Sequence, residues 1–132
     1  MRIGIPKEVK VREGRVALIP PAVSELVRNG HEVFIQSTAG VASGYPDEDY
    51  RRVGAQILPD AAALYGGVQL LLKVKEPIAA EYDLLRKDHI LFSYLHLAAT
   101  PKLAQALKDK GLTAVAFETV EANGKLPLLA PM

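Results

Sequence analysis

The chain has 132 residues, a length typical of one globular domain, and it is 49% hydrophobic and 23% charged. Its net charge of +1 argues against nucleic acid or an anionic membrane as an electrostatic partner, and the absence of cysteine excludes disulfides and thiolate metal sites. We find no signal peptide and no apolar run near the roughly 20 residues that cross a bilayer, so we expect a soluble, cytoplasmic protein.

The hydrophobic pattern predicts strands that alternate with helices along the chain. Arg2–Ile5 is the first strand, and Pro20-Pro21 opens a helix that ends at Gly30, because proline suits the first turn and glycine the position after the last. Thr100 is predicted to cap the last helix. The later strands are predicted at 31–36, 55–58, 68–74, 90–95 and 113–117, and the later helices at 46–54, 60–65, 81–85 and 100–111. A tight turn is expected at Asn123-Gly124.

Apolar runs separated by helices are typical of parallel strands that are buried on both faces. The pattern therefore predicts the α/β class, with a doubly wound, mostly parallel sheet and helices on both faces, a Rossmann-like three-layer sandwich. We expect one domain over residues 1–132, with 113–117 as its last buried strand. The apolar ending at 126–132 is unlike most chain termini and favours continuation into a larger protein over a tail packed on its own domain.

Two apolar runs lead into ionisable residues. One leads into Lys73 and Lys75, and the other leads through Tyr94 into His96. Ligands of open parallel sheets bind beyond the carboxyl ends of the strands, so Lys75 and His96 could face one small molecule. A lysine there would stabilise negative charge on a carbonyl oxygen, and an imidazole would exchange protons near neutral pH.

These residues also have structural interpretations. Lys73 and Lys75, which period-two alternation places on one face of the predicted strand, could extend their amines to solvent. His96 could be a core histidine that donates to a backbone carbonyl. Glu76 or Glu118 could orient the lysine, or either could be a solvated loop residue.

Two further residues are candidates for substrate contact. Arg15 ends a charged loop, and a guanidinium is the natural fork for a substrate carboxylate, although most loop arginines are simply exposed. Tyr94 is predicted to lie on the same side of its strand as His96, where it could form the wall of a pocket or only pack.

Neither a dinucleotide signature nor a metal site is visible. The chain has no G-x-G-x-x-G between a strand and a helix, so if a nicotinamide cofactor is used, this domain is not expected to hold its pyrophosphate. His31, His89 and His96 lie far apart without the spacing of metal ligands. His31 and His89 begin strands, where a solvated or capping histidine is the usual case.

Several segments of the chain resemble the N-terminal part of the L-alanine dehydrogenase family. They are residues 3–8 (IGIPKE), 13–17 (EGRVA), 72–77 (LKVKEP), 95–98 (LHLA) and 126–132 (LPLLAPM). The resemblance covers the whole chain, and it implies that the chain stops where the family continues into a separate Rossmann domain that binds NAD.

Roles for individual residues follow from the resemblance. It implies that Arg15 binds the carboxylate of pyruvate or L-alanine, that Lys75 binds the keto oxygen or the reacting centre, and that His96 is the general acid/base. Met132 would lie where the substrate cleft meets the nucleotide domain, and we add Tyr94 to the substrate-binding residues because of its position on the strand. The resemblance also implies NAD as cofactor, ammonia as a reactant, and a homo-oligomer, specifically a hexamer.

Other interpretations stay open. The NAD(H)-binding component of proton-translocating transhydrogenase is a close relative, but the lysine and histidine are typically replaced there, so retention of Lys75 and His96 favours the dehydrogenase. Saccharopine dehydrogenases are more distant kin, with weaker agreement elsewhere. A non-catalytic regulatory or assembly domain of the same fold is the remaining alternative.

Overall fold

The computed structural model describes residues 1–132 and contains one six-stranded sheet. The strands are β1 (Arg2–Ile5), β2 (Glu32–Gln36), β3 (Gln56–Leu58), β4 (Leu70–Leu72), β5 (Ile90–Ser93) and β6 (Thr113–Ala116). Their order is β3-β2-β1-β4-β5-β6, and every neighbouring pair is parallel. The predicted doubly wound α/β fold is confirmed, and the sheet is wholly rather than mostly parallel.

Five helices connect the strands. They are α1 (Pro20–Arg28), α2 (Asp47–Arg52), α3 (Ala61–Gly67), α4 (Ala79–Tyr82) and α5 (Pro101–Lys110), with 3₁₀ turns at Val41–Ser43, Leu97–Ala99 and Phe117–Thr119. The expected prolines occupy the first turns of α1 and α5, and the Asp60 carboxylate accepts a hydrogen bond from the Ala63 amide at the start of α3. None of these helices has the length and apolar character needed to cross a bilayer.

The helices cover both faces of the sheet because successive strand residues point to opposite sides. On one face Ile3 and Ile5 of β1 pack in a cluster with Val23 of α1 and Tyr50 of α2. On the other face Leu71 of β4 belongs to a second cluster, to which α3 and α5 also contribute buried leucines. Full burial of one such aliphatic side chain stabilises a fold by about 1.5–3 kcal/mol, so these two clusters hold the three layers together.

One local prediction was wrong, and another holds only in part. β6 is not a buried strand: it lies at the sheet edge with Thr113–Val115 exposed, because only β5 pairs with it and of its residues only Ala116 is buried in a core cluster. Thr100 is the N-cap residue of α5 as predicted, but its side chain makes no capping bond, since its hydroxyl donates to the backbone carbonyl of His96 at 2.9 Å. The turn at Asn123-Gly124 is confirmed, with positive φ at both residues and an antiparallel bridge across it.

Candidate active site

The candidate site lies beyond the carboxyl ends of the central strands. β1 and β4 are neighbours in the sheet although β2 and β3 lie between them in sequence, so the connections on either side run in opposite directions. Such a switch point leaves a crevice where ligands bind. The segment after β1 carries Arg15, the segment after β4 carries Lys75, and the segment after β5 carries Tyr94 and His96.

Lys75 lies in the loop between β4 and α4, with its side chain half-buried. Its Nζ is 5.1 Å from the centroid of the Tyr94 ring, which is a cation–π distance. The pKa of Glu13 falls to about 2, chiefly because Arg15 donates hydrogen bonds to it and to a smaller extent because of the charge of Lys75. The ammonium of Lys75 is therefore within electrostatic reach of the segment that carries Arg15.

His96 adopts an unusual backbone conformation, with φ 49° and ψ 43° in the left-handed region. The Glu118 carboxylate accepts hydrogen bonds from the amides of Leu95, at 3.2 Å, and His96, at 2.7 Å. The imidazole is exposed and makes an edge contact with Tyr94, with 5.6 Å between the ring centroids. The segment thus projects the ring into a small cavity of about 250 Å³ that Tyr94 and Glu118 also line.

Arg15 forms a bidentate ion pair with Glu13. Its Nε and Nη2 each donate to the Glu13 carboxylate at 2.8 Å, which leaves Nη1 without a protein partner. The Arg15 side chain is 54% exposed, whereas the Glu13 side chain is 9% exposed. Both residues line a cleft of about 370 Å³, and the rest of its lining consists of Lys7, Glu8, Gly14, Thr38, Ala39, Val41 and Ala42. This geometry leaves one edge of the guanidinium free, and such an edge is able to bind a carboxylate.

The structure brings Lys75, Tyr94 and His96 into one contact group, in which Tyr94 touches both of the others. Arg15 makes no direct contact with this group and lines a different cavity from His96, and the charge of Lys75 acts on its partner Glu13 only at a distance. Tyr94 lies between Lys75 and His96 and lines the cavity of His96, and its role as the wall of a substrate pocket stays a prediction.

Met132 lies elsewhere. It lines an apolar cavity of about 200 Å³ with Leu72, Phe92, Phe117 and other hydrophobic residues, and it is 58% exposed. That cavity contains none of Arg15, Lys75 and His96. A role for Met132 in substrate binding stays a prediction.

The two lysines that the sequence placed on one strand face have different environments. β4 ends at Leu72, so strand alternation does not extend to them. Lys73 is 1% exposed, with its Nζ 3.2 Å from Glu8 and 2.9 Å from Glu81. We call Glu8, Lys73 and Glu81 the buried ion network. Lys73 is therefore a core cation, and Lys75 alone is free to meet a ligand.

Neither carboxylate that was predicted to orient the lysine does so. Glu76, whose side chain is only 6% exposed, pairs with Lys10, and Glu118 accepts from the backbone amides of Leu95 and His96. The carboxylate nearest the Lys75 backbone is Glu8, which sequence analysis did not single out. The only available sign was its place in the segment 3–8 that carries the family resemblance.

Of the two alternatives predicted for His89, the structure contradicts the solvated one and agrees with the capping one, because the ring binds the backbone amide of Arg86. His89 is 1% exposed, its Nδ1 accepts from the Arg86 amide at 3.0 Å, and its Nε2 lies 2.8 Å from the Tyr65 carbonyl oxygen. Burial lowers its pKa, so the neutral ring is favoured. His31 is half-buried and precedes β2, at the opposite end of the strands from His96.

The residues present do not fit the pyrophosphate of a dinucleotide. β1 continues into Pro6 and a charged segment, and α1 begins only at Pro20, so no helix N-terminus follows the strand through a glycine turn. The structure also contains no group of three His, Cys, Asp or Glu side chains that could hold a metal ion.

Comparison with known proteins gives consistent matches over the whole chain. It is 52% identical over 132 residues to an alanine dehydrogenase of Bacillus subtilis and 54% identical over 133 residues to one of Mycobacterium tuberculosis. Each alignment covers 100% of this chain but only 35% and 36%, respectively, of the relative. The chain thus spans about a third of the length of these relatives.

Solved structures agree. An L-alanine dehydrogenase superposes with a TM-score of 0.96 at 52% identity, over 99% of this chain and 36% of that one. A transhydrogenase from Sinorhizobium meliloti superposes with a TM-score of 0.83 at 30% identity, over 89% of this chain and 34% of that one. The family described as "Alanine dehydrogenase/PNT, N-terminal domain" matches residues 4–132, and the chain belongs to this family.

Proposed function

We propose that this chain is the substrate-binding and acid/base half of an NAD-dependent L-alanine dehydrogenase, which interconverts L-alanine with pyruvate and ammonia. The observation that carries the proposal is the contact group of Lys75, Tyr94 and His96, with the Arg15–Glu13 pair within electrostatic range of Lys75. These groups supply the chemistry that a 2-keto acid requires, and the relatives named above are alanine dehydrogenases.

Arg15 binds the carboxylate of the substrate in this proposal. Its free Nη1 and the outer proton of Nη2 can donate to two carboxylate oxygens while Glu13 holds the other edge of the guanidinium. The low pKa of Glu13, about 2, keeps that carboxylate ionised at neutral pH, so the arginine stays fixed in one orientation. A guanidinium that is held in one orientation fixes the distance of the keto carbon from Lys75 and His96.

Lys75 donates to the keto oxygen and stabilises the negative charge that develops there when ammonia attacks the carbonyl carbon. A proton passes from the added ammonium nitrogen to the alkoxide oxygen and gives the neutral carbinolamine. His96 then gives a proton to the hydroxyl group of the carbinolamine, so that the C–O bond breaks, water leaves and the nitrogen lone pair forms the C=N bond of the iminium. The reverse steps hydrate the imine derived from L-alanine and release ammonia. Because the segment after β1 does not fit a dinucleotide, we place the nicotinamide cofactor on protein outside these 132 residues.

Three wider features stay predictions. The division of the protein into this substrate domain and a separate NAD domain, the assembly into a hexamer, and the cytoplasmic location all derive from the family resemblance and from the sequence. The first is supported by the share of the relatives that the chain covers, about a third of their length.

Steady-state kinetics of the full-length protein test the proposal. We expect L-alanine-dependent formation of NADH, and pyruvate- and ammonia-dependent oxidation of NADH. Arg15→Lys should raise the KM for pyruvate at least about tenfold, because a lysine cannot make the bidentate pair. Hydride transfer between nucleotides without any need for an amino acid would instead support the transhydrogenase alternative and overturn the proposal.

A further inference from the structure

We propose that Glu8 and Glu118 are positioning residues, each of which fixes the main chain of the segment that carries one reactive side chain. Glu8 holds the segment of Lys75, and Glu118 holds the segment of His96. The inference rests on the proposed function for the roles of Lys75 and His96. It adds two residues that act through the main chain, although Glu8 also lines the cleft of Arg15 and Glu118 the cavity of His96.

Glu8 holds the segment after β4 by three contacts. Its Oε1 accepts from the Val74 amide at 2.6 Å, and its Oε2 lies 3.4 Å from the Lys75 amide and 3.2 Å from Lys73 Nζ. The Glu8 side chain is only 2% exposed, so water cannot replace these contacts. The short bond from the Val74 amide therefore fixes the main chain directly before Lys75.

The far end of the same loop is held in a related way. Glu81, the third member of the buried ion network, accepts from the Ile78 amide at 2.9 Å through Oε2, while its Oε1 accepts from the Tyr65 hydroxyl at 2.8 Å. Lys73 lies between the two carboxylates and links them. The loop that carries Lys75 is thus tied at both ends to one buried charged group.

Glu118 performs the corresponding task for His96. It comes from the 3₁₀ turn after β6, the strand next to β5, just as Glu8 comes from the segment after β1, the strand next to β4. Its carboxylate accepts hydrogen bonds from the amides of Leu95 and His96. These residues follow the end of β5, and the backbone is left-handed at His96. A left-handed non-glycine residue persists only where its surroundings hold it, and these two bonds do so.

We expect variants of Glu118 and of Glu8 to have different kinetic defects in the full-length protein. Glu118→Ala should lower kcat by roughly 10- to 100-fold with the KM for pyruvate changed less than about threefold, because misplaced catalytic groups lose rate. Glu118→Gln should recover most of the loss, since its amide oxygen still accepts a backbone hydrogen bond. Glu121→Ala is the matched control, an exposed carboxylate in the same segment, and it should leave kcat unchanged.

Glu8→Gln should raise the KM for pyruvate about tenfold, because Lys75 contacts the keto oxygen in the bound state as well as in the transition state. Lys73 keeps Glu81 as a partner in this variant, so the fold is expected to survive. Glu25→Gln, on the exposed surface of α1, is the control for a change of Glu to Gln elsewhere.

A measurement without turnover separates this inference from the proposed function. The Cε1 proton resonance of His96, followed by NMR, should shift or broaden in Glu118→Ala and stay in place in Glu121→Ala, whatever reaction the protein catalyses. Lower thermal stability of Glu118→Ala with unchanged kcat, pH profile and His96 resonance would overturn the inference. If the wild-type protein had no alanine-dependent activity while the His96 resonance still shifted in Glu118→Ala, the result would count against the proposed function alone.

Discussion

The ammonium of Lys75 lies over the face of the Tyr94 ring, 5.1 Å from its centroid. A ring face attracts a cation without accepting its protons in strong hydrogen bonds, so all three N–H donors of the lysine stay available for a ligand. The same ring contacts the imidazole of His96. Tyr94 is therefore the physical link between the two groups that we assign to catalysis.

Replacement of Tyr94 tests that link. We expect Tyr94→Leu to raise the KM for pyruvate by about fivefold or more, because the loss of a cation–π contact worth about 0.5–2 kcal/mol leaves Lys75 less well oriented. Tyr94→Phe keeps the ring and should stay within about twofold of the wild type. Steady-state kinetics of the full-length protein provide the measurement, and equal impairment of the two variants would contradict the role of the ring.

His96→Asn should lower kcat by about 10²- to 10⁴-fold, the usual contribution of a general acid/base. Asparagine also tolerates the left-handed backbone, so the main chain should keep its course. The control is His31→Gln, because His31 precedes β2 at the other end of the strands. Near-normal turnover of the His96 variant, measured at saturating substrate, would refute the acid/base assignment.

Removal of one charge from the buried ion network should lower the free energy of unfolding far more than removal of a surface charge. Lys73→Met leaves the carboxylates of Glu8 and Glu81 without their cation, and the removal of one partner from a buried pair costs about 3–5 kcal/mol. Lys102→Met, at an exposed position of α5, should change the free energy of unfolding by less than about 0.5 kcal/mol. Urea unfolding measures both, and similar small effects would show that the network does not stabilise the fold.

The Arg15–Glu13 pair predicts a dependence of stability on pH. The folded pKa of Glu13, about 2, lies below its ordinary value of 4.5, so its stabilising contribution is complete above about pH 4.5 and is lost as the pH falls toward 2. Since the Arg15 side chain is 54% exposed, solvent screening limits this contribution to about 1 kcal/mol. The difference in unfolding free energy between wild type and Glu13→Gln should therefore shrink between pH 6 and pH 3. A constant difference would exclude the pair as its source.

Much of the architecture could be predicted because local patterns and tertiary packing agree. The first strand, the prolines that open α1 and α5, and the cap of α3 by Asp60 follow from conformational preferences that the rest of the fold supports. The exposure of β6 could not be predicted, because Ala114 and Val115 are apolar whether or not a neighbouring layer covers them. Sheet-edge position depends on the order of all six strands.

The reactive residues could be proposed from their positions after apolar runs, but the carboxylates that hold the surrounding segments in place could not. Lys73 and Lys75 are equivalent in sequence terms, and only the buried carboxylates of Glu8 and Glu81 distinguish a core cation from a ligand-binding one. The fold, rather than a recognisable local spacing in the sequence, brings these two carboxylates to Lys73. For the same reason Glu118 could be noted as a candidate without the sequence revealing that it binds the backbone at His96.

The register between β1 and β4 couples the folding of this protein to the alignment of its reactants. In the sheet these central strands pair at two positions, Ile3 with Leu70 and Gly4 with Leu71, and the Glu8–Lys73 contact joins the segments that follow the two strands. Arg15 belongs to the half of the chain that contains β1, and Lys75 and His96 belong to the half that begins with β4. A substrate bound by residues of both halves would resist sliding of β1 along β4, so the ligand and the sheet would each make the other more rigid.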